Sequence, residues 1–414
     1  MYKVLFIILD GVADHVIKDL GGKTPLEAAK KKNIDKLCKF AECGMHYTID
    51  IGIIPGSDTG HLALFGYDPY KYYPGRGVFE ALGIMDLEPG DIAFRVNFGT
   101  VDENGVLIDR RAQRNDYGID ELLKDFHSII EKIENEYNIK IILKHTYEHR
   151  GVLVIKGNLF EKVTDNDLHE IGIKPPEIKA LDENSKITAE ILNKLVKEFY
   201  EFAKNHPINK ERKEQGILPV NYLLIRGASK YRPLNEKETF YNRYKLKGIF
   251  IAGAPMYLGV AKYVGLDIYK PLGANGTIRT SLFSKAEAAI KYRDKYDIVF
   301  VHIKATDSLS HDKKPKEKKK FIEKIDLEFF SRVKDEFDII VLTGDHTTSS
   351  ILGKHTADPV PIMIYSTIDV PQRKDPVKNF AERKCFRGIL GFIKGIDVMK
   401  IILNKLGKAP MFGT

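Results

Sequence analysis

Cysteine is scarce: three residues in 414, at Cys38, Cys43 and Cys385. An odd number with no CxxC pair excludes a disulfide framework and a zinc knuckle, and it suits a reducing cytoplasm. Long apolar runs are missing too. The opening run of residues 4–9 is too short for a secretion signal and ends in Asp10 rather than at a small-residue cleavage site. No stretch approaches the ~18 apolar residues of a membrane span, so no membrane partner is expected. The net charge of +8 is modest for this length. Its densest segment, KKPKEKKK at residues 313–320, has no interleaved aromatics. That excludes a nucleic-acid groove, and the segment reads as a solvated loop or helix face. A mild basic excess suits a small anionic substrate. Tryptophan is absent, and with abundant Lys, Glu and Ile this points to a heat-adapted composition.

What is present divides in two. The length exceeds a single ordinary core and predicts two domains, or one large α/β domain with an insertion. Residues 2–11, YKVLFIILDG, read as a buried parallel strand with Asp10 at its carboxyl end. Residues 24–38 read as a helix opened by a capping box, with Thr24 as N-cap, Pro25 at the first position and Glu27 three after the cap. Two later segments repeat the strand-then-acid pattern, YDIVFVHIKATDSLSHD (296–312) and FDIIVLTGDHTTSS (337–350). A helix over 315–334 joins them, and 247–254 adds another core strand. The middle differs. FRVNFGTVDENGVLIDR and EHRGVLVIKGN read as hairpin pieces, followed by Lys- and Glu-rich helices such as 188–205. The expected fold is therefore α/β, a mostly parallel sheet flanked by helices (1–89 and 245–414), with an inserted α+β cap domain (90–244).

Chemistry concentrates at the strand ends. Asp10, Asp307, His311, Asp345, His346 and His355 all fall at these ends or in the loops after them. In Asp307-xxx-His311 the spacing puts both side chains on one face of a helical turn. Imidazoles mixed with carboxylates suit Mn²⁺, Zn²⁺, Co²⁺ or Fe²⁺ better than Ca²⁺. Six such residues exceed the needs of one metal, which favours a binuclear site. Taken singly each could be a solvated turn residue; together at one sheet edge they read as ligands. His15 and His61 lack the pattern and read as structural.

A second signal is IPGSDTGHLALFGYDP (54–69). Ser57 lies between Gly56 and Gly60, where backbone can approach a phosphate and a helix can begin. A metal would activate its hydroxyl without a histidine base. The alternative reading of Ser57 is a helix cap.

PGSDTGHLALFGYDPYKYYPGRGVFEALG, the LDG at Asp10, ATDSLSHD, TGDHTTSS and KHTADPVP together resemble the cofactor-independent phosphoglycerate mutases, in their archaeal-type branch of the alkaline-phosphatase superfamily. The metal motifs belong to the superfamily; GRG-x-x-EALG and NFGTVDENGVLIDRRA narrow the likeness to the mutases. The resemblance spans nearly the whole chain and implies an alkaline-phosphatase-like fold. It implies one metal on Asp307, His311 and His355, and another on Asp10, Asp345, His346 and the Ser57 oxygen. Manganese is favoured, with zinc, cobalt or magnesium as alternatives. It also implies Ser57 as the phosphorylated nucleophile, Asp109 as general acid/base, and Arg110, Arg226 and Arg150 as substrate-binding residues. Lys304 is a candidate phosphate lysine by its proximity to Asp307. The implied substrate is a small phosphorylated three-carbon acid, 2- or 3-phosphoglycerate, in the cytoplasm, with no nucleic-acid or membrane partner and the oligomeric state left open.

Overall fold

A computed structural model describes residues 2–368, 375–411 and 413, and it divides into two units, Met1–Tyr73 with Leu234–Thr414, and Pro74–Pro233. The first unit is built on an eight-stranded sheet in the order Gly391–Lys394, Ala41–Tyr47, Val360–Ser366, Ile339–Thr343, Val4–Leu9, Ile298–Ile303, Gly248–Ile251, Asp267–Tyr269. Only Val360–Ser366 runs against its neighbours; every other pairing in the sheet is parallel. Val4–Leu9 is central and fully buried, as its unbroken apolar run requires of a strand covered on both faces. One face packs on the helices Lys32–Cys38, Leu282–Arg293 and Pro315–Ile325, through a core that includes Leu5, Ile7, Leu37, Ala286, Phe321 and Ile325.

Two local expectations are corrected. The Thr24 capping box forms, with Thr24 Oγ1 accepting the Glu27 N–H at 3.0 Å and Glu27 Oε2 accepting the Thr24 N–H at 3.1 Å. The helix it opens, however, is Pro25–Ala28, and a second one starts separately at Lys32–Cys38. The cause is remote. Asp326 accepts the Ile34 N–H at 2.8 Å and the Asn33 N–H at 3.2 Å, capping the second helix from another element. The basic run 313–320 is not wholly solvated either. Lys318 lies on the inner face of the amphipathic helix Pro315–Ile325, fully buried beside Phe321 and Ile322.

The second unit is an antiparallel sheet. Ile92–Val101 pairs with Arg150–Lys156, Tyr222–Lys230 and the short Leu107–Asp109, and Lys140–Tyr147 lies beyond Arg150–Lys156. The helices Ile119–Tyr137 and Lys186–Ala203 bury their apolar stripes in a core with Phe94, Phe98 and Leu223. This unit begins at Pro74 rather than 90 because the helix Arg76–Leu82 belongs to the sheet. Glu80 Oε1 accepts Arg95 Nη1 at 3.1 Å and Arg76 Nε at 3.3 Å, and Ser229 Oγ accepts the Val78 N–H at 2.9 Å. It ends at Pro233 rather than 244 because Phe240–Tyr244 packs in the first unit, Tyr244 donating to Gly66 O at 3.0 Å. Arg212, fully buried, donates to the carbonyls of Ala112, Asn115, Tyr117 and Leu218. It thereby holds a turn in which Ala112, Gln113 and Arg114 all have positive φ.

A buried carboxyl gives the first unit a pH response. Glu382 accepts the Asp14 N–H at 3.1 Å and bonds the Thr24 hydroxyl at 2.7 Å. Burial pushes its pKa up to about 7, against the opposing pull of Thr24 and Lys318. Between the ordinary glutamate range and pH 7 the folded chain keeps a proton that the unfolded chain has lost. Stability therefore falls as pH rises through that window, by on the order of 3 kcal/mol. Glu382→Gln is expected to flatten this slope and to be the more stable form at pH 8, which urea denaturation at pH 5 and 8 measures.

Candidate metal centre and anion-binding residues

Each metal-ligand candidate owes its place to a strand end or a short turn. Asp10 follows Val4–Leu9, and Gly11, at φ +57°, turns the chain so that its N–H donates to Asp345 Oδ1 at 3.0 Å. A Cβ on Gly11 would lie 3.0 Å from the Cβ of Asp307, so only glycine admits this approach. Asp307 and His311 share one face of the helix Ala305–His311. Asp345 and His346 follow Ile339–Thr343. His355 lies in the hairpin strand Lys354–Thr356, directly across from Thr348. Ser57 is the first residue of the helix Ser57–Leu64, after Gly56 as N-cap. Gly60, expected to let backbone approach a phosphate, instead meets the protein: a Cβ there would be 2.8 Å from Asp345 O.

Two clusters result. Asp307 Oδ1 lies 3.3 Å from both His311 Nε2 and His355 Nε2, which are 3.1 Å from each other. His346 Nε2 lies 3.2 Å from Ser57 Oγ, 3.3 Å from Asp10 Oδ1 and 3.4 Å from Asp345 Oδ2. The ligand atoms of Asp307, His311 and His355, and those of Asp10, Asp307 and His346, each fit within 4.8 Å. Asp307 thus belongs to both groups, whereas the sequence placed it in one.

Hydrogen bonds set the imidazole tautomers. Carbonyls accept only, so Gly353 O at 2.8 Å from His311 Nδ1, and Pro55 O at 2.9 Å from His355 Nδ1, put the protons on Nδ1. Thr348 donates its hydroxyl to Asp307 Oδ1 at 2.9 Å, so it accepts from His346 Nδ1 at 2.9 Å. All three Nε2 lone pairs then face the carboxylates, as metal ligation requires. Asp10 Oδ1 and Asp345 Oδ2 are buried and accept no hydrogen bond from the described residues. Such oxygens are costly unless a cation satisfies them, so this donor set fits divalent metals.

Lys304, a candidate from its proximity to Asp307, bridges the clusters, donating to Asp10 Oδ2 at 3.3 Å and Asp307 Oδ2 at 2.9 Å. Burial works against charge on both acids, yet Lys304 together with the side chains of His302 and His346 at Asp10, and of His311 and His355 at Asp307, holds both carboxyls well below the usual range. Lys304 in turn is held well above the usual lysine value, the two carboxylates overcoming its burial. Hydrogen bonding to Asp307 raises His311, and the same carboxylate raises His355 against its burial. His302 bonds Asp10 Oδ2 at 2.9 Å and is kept neutral by burial, its pKa pushed down to about 3. A lone histidine in the otherwise apolar strand Ile298–Ile303, two residues before Lys304, was the available signal. His61, read as structural, does bond Ser57 O at 2.7 Å, but it also lies 3.3 Å from Asp345 Oδ2. His15 pairs with Asp358 away from the clusters.

In the second unit the anion-binding candidates are basic and partly buried. Arg110 makes a two-point contact with Asp167, Nε at 2.7 Å and Nη2 at 2.8 Å. Arg226 Nη1 donates to His169 Nε2 at 2.9 Å, and burial first, then Arg95 and Arg76, pushes the Arg226 pKa down to about 10. Arg150 lies 4.6 Å over the Tyr147 ring. Asp109 accepts the Arg111 N–H at 2.6 Å.

Residues 39–209 match the sequence profile of 2,3-bisphosphoglycerate-independent phosphoglycerate mutase. The chain is 43% identical to the protein of that name from Pyrobaculum islandicum, covering 100% of both chains. It is 44% identical to 2,3-bisphosphoglycerate-independent phosphoglycerate mutase 1 of Methanocaldococcus jannaschii, covering 99% of both. Among solved structures it superposes on a Pyrococcus horikoshii protein with TM-score 0.82 at 36% identity, covering 100% of this chain and 99% of that one. The cofactor-independent phosphoglycerate mutase from Thermoplasma acidophilum matches with TM-score 0.66 at 33% identity, covering 98% of this chain and 100% of that one. Full-length identity at this level, over a chain whose strand ends gather these acids and histidines, makes it a member of the 2,3-bisphosphoglycerate-independent phosphoglycerate mutase family.

Proposed function

We propose that the protein interconverts 2-phosphoglycerate and 3-phosphoglycerate through a phosphoserine at Ser57, without 2,3-bisphosphoglycerate. The observation that carries this reading is the Ser57 hydroxyl at 3.2 Å from His346 Nε2, beside carboxylate oxygens that accept no hydrogen bond from the described residues. Divalent cations, manganese by preference, would be held by Asp307, His311 and His355, and by Asp10, Asp345, His346 and the Ser57 oxygen; they would lower the hydroxyl's pKa and neutralise phosphoryl charge.

The chain's own groups then have defined tasks. Ser57 Oγ attacks phosphorus, the Oγ–P bond forms and the bond to the glycerate oxygen breaks. Asp109 passes a proton to that oxygen and later removes one from the other hydroxyl of the same glycerate. Arg110, Arg150 and Arg226 recognise the anionic groups of the acid. Returning the phosphoryl group demands that water stay away from the phosphoserine, and we assign that task to the inserted unit. Three free cysteines and the absence, among the described residues, of any helix long and apolar enough to cross a membrane support a cytoplasmic setting.

The competing reading is a phosphatase on the same centre. Incubated with 3-phosphoglycerate and Mn²⁺, the purified protein is expected to form 2-phosphoglycerate faster than free phosphate, and chelation should abolish both. Predominant phosphate release would overturn the mutase reading.

A further inference from the structure

Residues 164–169, Thr-Asp-Asn-Asp-Leu-His, are a segment whose polar side chains are nearly all engaged. Asp165 Oδ1 accepts the Gly227 N–H at 2.9 Å. Asn166 Oδ1 accepts the Ile225 N–H at 2.6 Å, and its Nδ2 donates to Leu223 O at 3.1 Å. The segment is thereby pinned along the strand Tyr222–Lys230 that carries Arg226. Asp167, its side chain fully buried, takes the two-point contact from Arg110, a third bond from Asn97 Nδ2 at 3.2 Å, and lies 3.7 Å from Arg226 Nε.

His169 completes the arrangement. Its backbone sits at φ +66°, a conformation that costs a non-glycine residue and persists only where surroundings impose it. Its N–H reaches Asp167 Oδ1 at 3.3 Å, and its Nε2 is 2.9 Å from Arg226 Nη1. A guanidinium donates and never accepts, so Nε2 is the acceptor and the ring proton sits on Nδ1. Burial, followed by the charges of Arg226 and Arg110, holds His169 below the ordinary histidine value, in keeping with a neutral ring. His169 is an exposed residue, and the geometry of the ring directs its Nδ1–H away from the bond that Nε2 makes with Arg226. The Arg110 Nη1 is likewise not used by Asp167. Arg110 and Arg226 against Asp167, with Arg95 also acting on both His169 and Arg226, leave the group with excess positive charge, which suits an anionic ligand.

We infer that His169 is a specificity-determining residue, whose Nδ1–H binds the carboxylate of the three-carbon acid together with Arg110 and Arg226, and that Asp167 positions the two arginines. The inference rests on the phosphoglycerate reading above. It deepens that reading by naming the group that separates a phosphorylated acid from a phosphorylated alcohol.

The test compares 3-phosphoglycerate with glycerol 3-phosphate, which lacks the carboxylate, on the metal-loaded enzyme. Wild type is expected to bind the acid more tightly by calorimetry. His169→Ala should raise KM for 3-phosphoglycerate about tenfold, the worth of one hydrogen bond to a charged group, while kcat stays within about threefold. Its Kd for glycerol 3-phosphate should not change. His169→Gln, which keeps an acceptor for Arg226 and a donor for the ligand, should restore most of the loss. Equal wild-type affinity for the two ligands, an unchanged KM in His169→Ala, or an equal loss for both ligands would each overturn the inference. A wild-type enzyme that forms no 2-phosphoglycerate overturns the mutase reading instead, and the two failures are thus distinguishable.

Discussion

Ser57→Ala is expected to lose at least about 10⁴-fold in kcat, the scale seen when a nucleophile is removed from a site whose other parts stay intact. The residue is buried at the start of its helix, and its Oγ faces His346 Nε2 at 3.2 Å. The helix does not need the hydroxyl as a cap, because Gly56 is the N-cap and Thr59 Oγ1 accepts the Gly56 N–H at 3.0 Å. Alanine removes one oxygen and leaves the first turn in place, so the loss should appear in turnover and not in folding. Intact-mass measurement after brief incubation with 3-phosphoglycerate should show a phosphorylated wild type and an unmodified variant. A variant that keeps wild-type turnover would sink the phosphoserine route altogether.

The largest stability effect is expected at Lys318. Its ammonium is fully buried and donates to Gly11 O at 2.8 Å, Asp14 Oδ2 at 3.0 Å, Ala13 O at 3.3 Å and Thr348 O at 3.4 Å. These contacts tie the turn after Asp10 to the residue that orients His346. Lys318→Met fills the volume but strands the Asp14 carboxylate, whose side chain is itself fully buried. Removing one partner of a buried pair typically costs ~3–5 kcal/mol. The Ser350 N–H and hydroxyl still donate to Asp14, which places the expectation at the lower end of that range. Chemical denaturation of metal-free protein measures it. Adding Asp14→Asn to Lys318→Met should recover part of the loss, because the stranded charge is then gone. A cost below about 1 kcal/mol for Lys318→Met would mean that the pair does not hold these turns.

Lys318 also marks where reading the sequence stops. KKPKEKKK has the composition of a solvated surface, and nothing within the run itself distinguishes the one lysine that turns inward or supplies a partner for its buried charge. What distinguishes it is the helical face it shares with Phe321, Ile322 and Ile325, and an acceptor set drawn from two remote turns. The helix break between Ala28 and Lys32 has the same origin. Thr24 and Glu27 are three residues apart, so their box is legible; the second helix start depends on Asp326, nearly 300 residues away.

Local rules were enough for other features. A continuous apolar run ending in an acid predicted Val4–Leu9 and Asp10, and a spacing of four predicted Asp307 and His311 on one helical face. The likeness of the glycine-rich Ser57 segment and the strand-end motifs to one family agreed with relatives matched over the full length.

By itself, then, the sequence picked out the candidate acids and histidines and the layered α/β plan that delivers them to one sheet edge, because both follow from periodicity and short spacings. The tertiary structure alone decided how those residues are set. It chose the tautomers of His311, His346 and His355, put Asp307 in both clusters, laid Lys304 between two carboxylates, and tied Arg110 and Arg226 to Asp167 and His169. Each of those choices depends on a hydrogen-bond or ion-pair partner, and most of the partners come from another element, where no sequence period reaches.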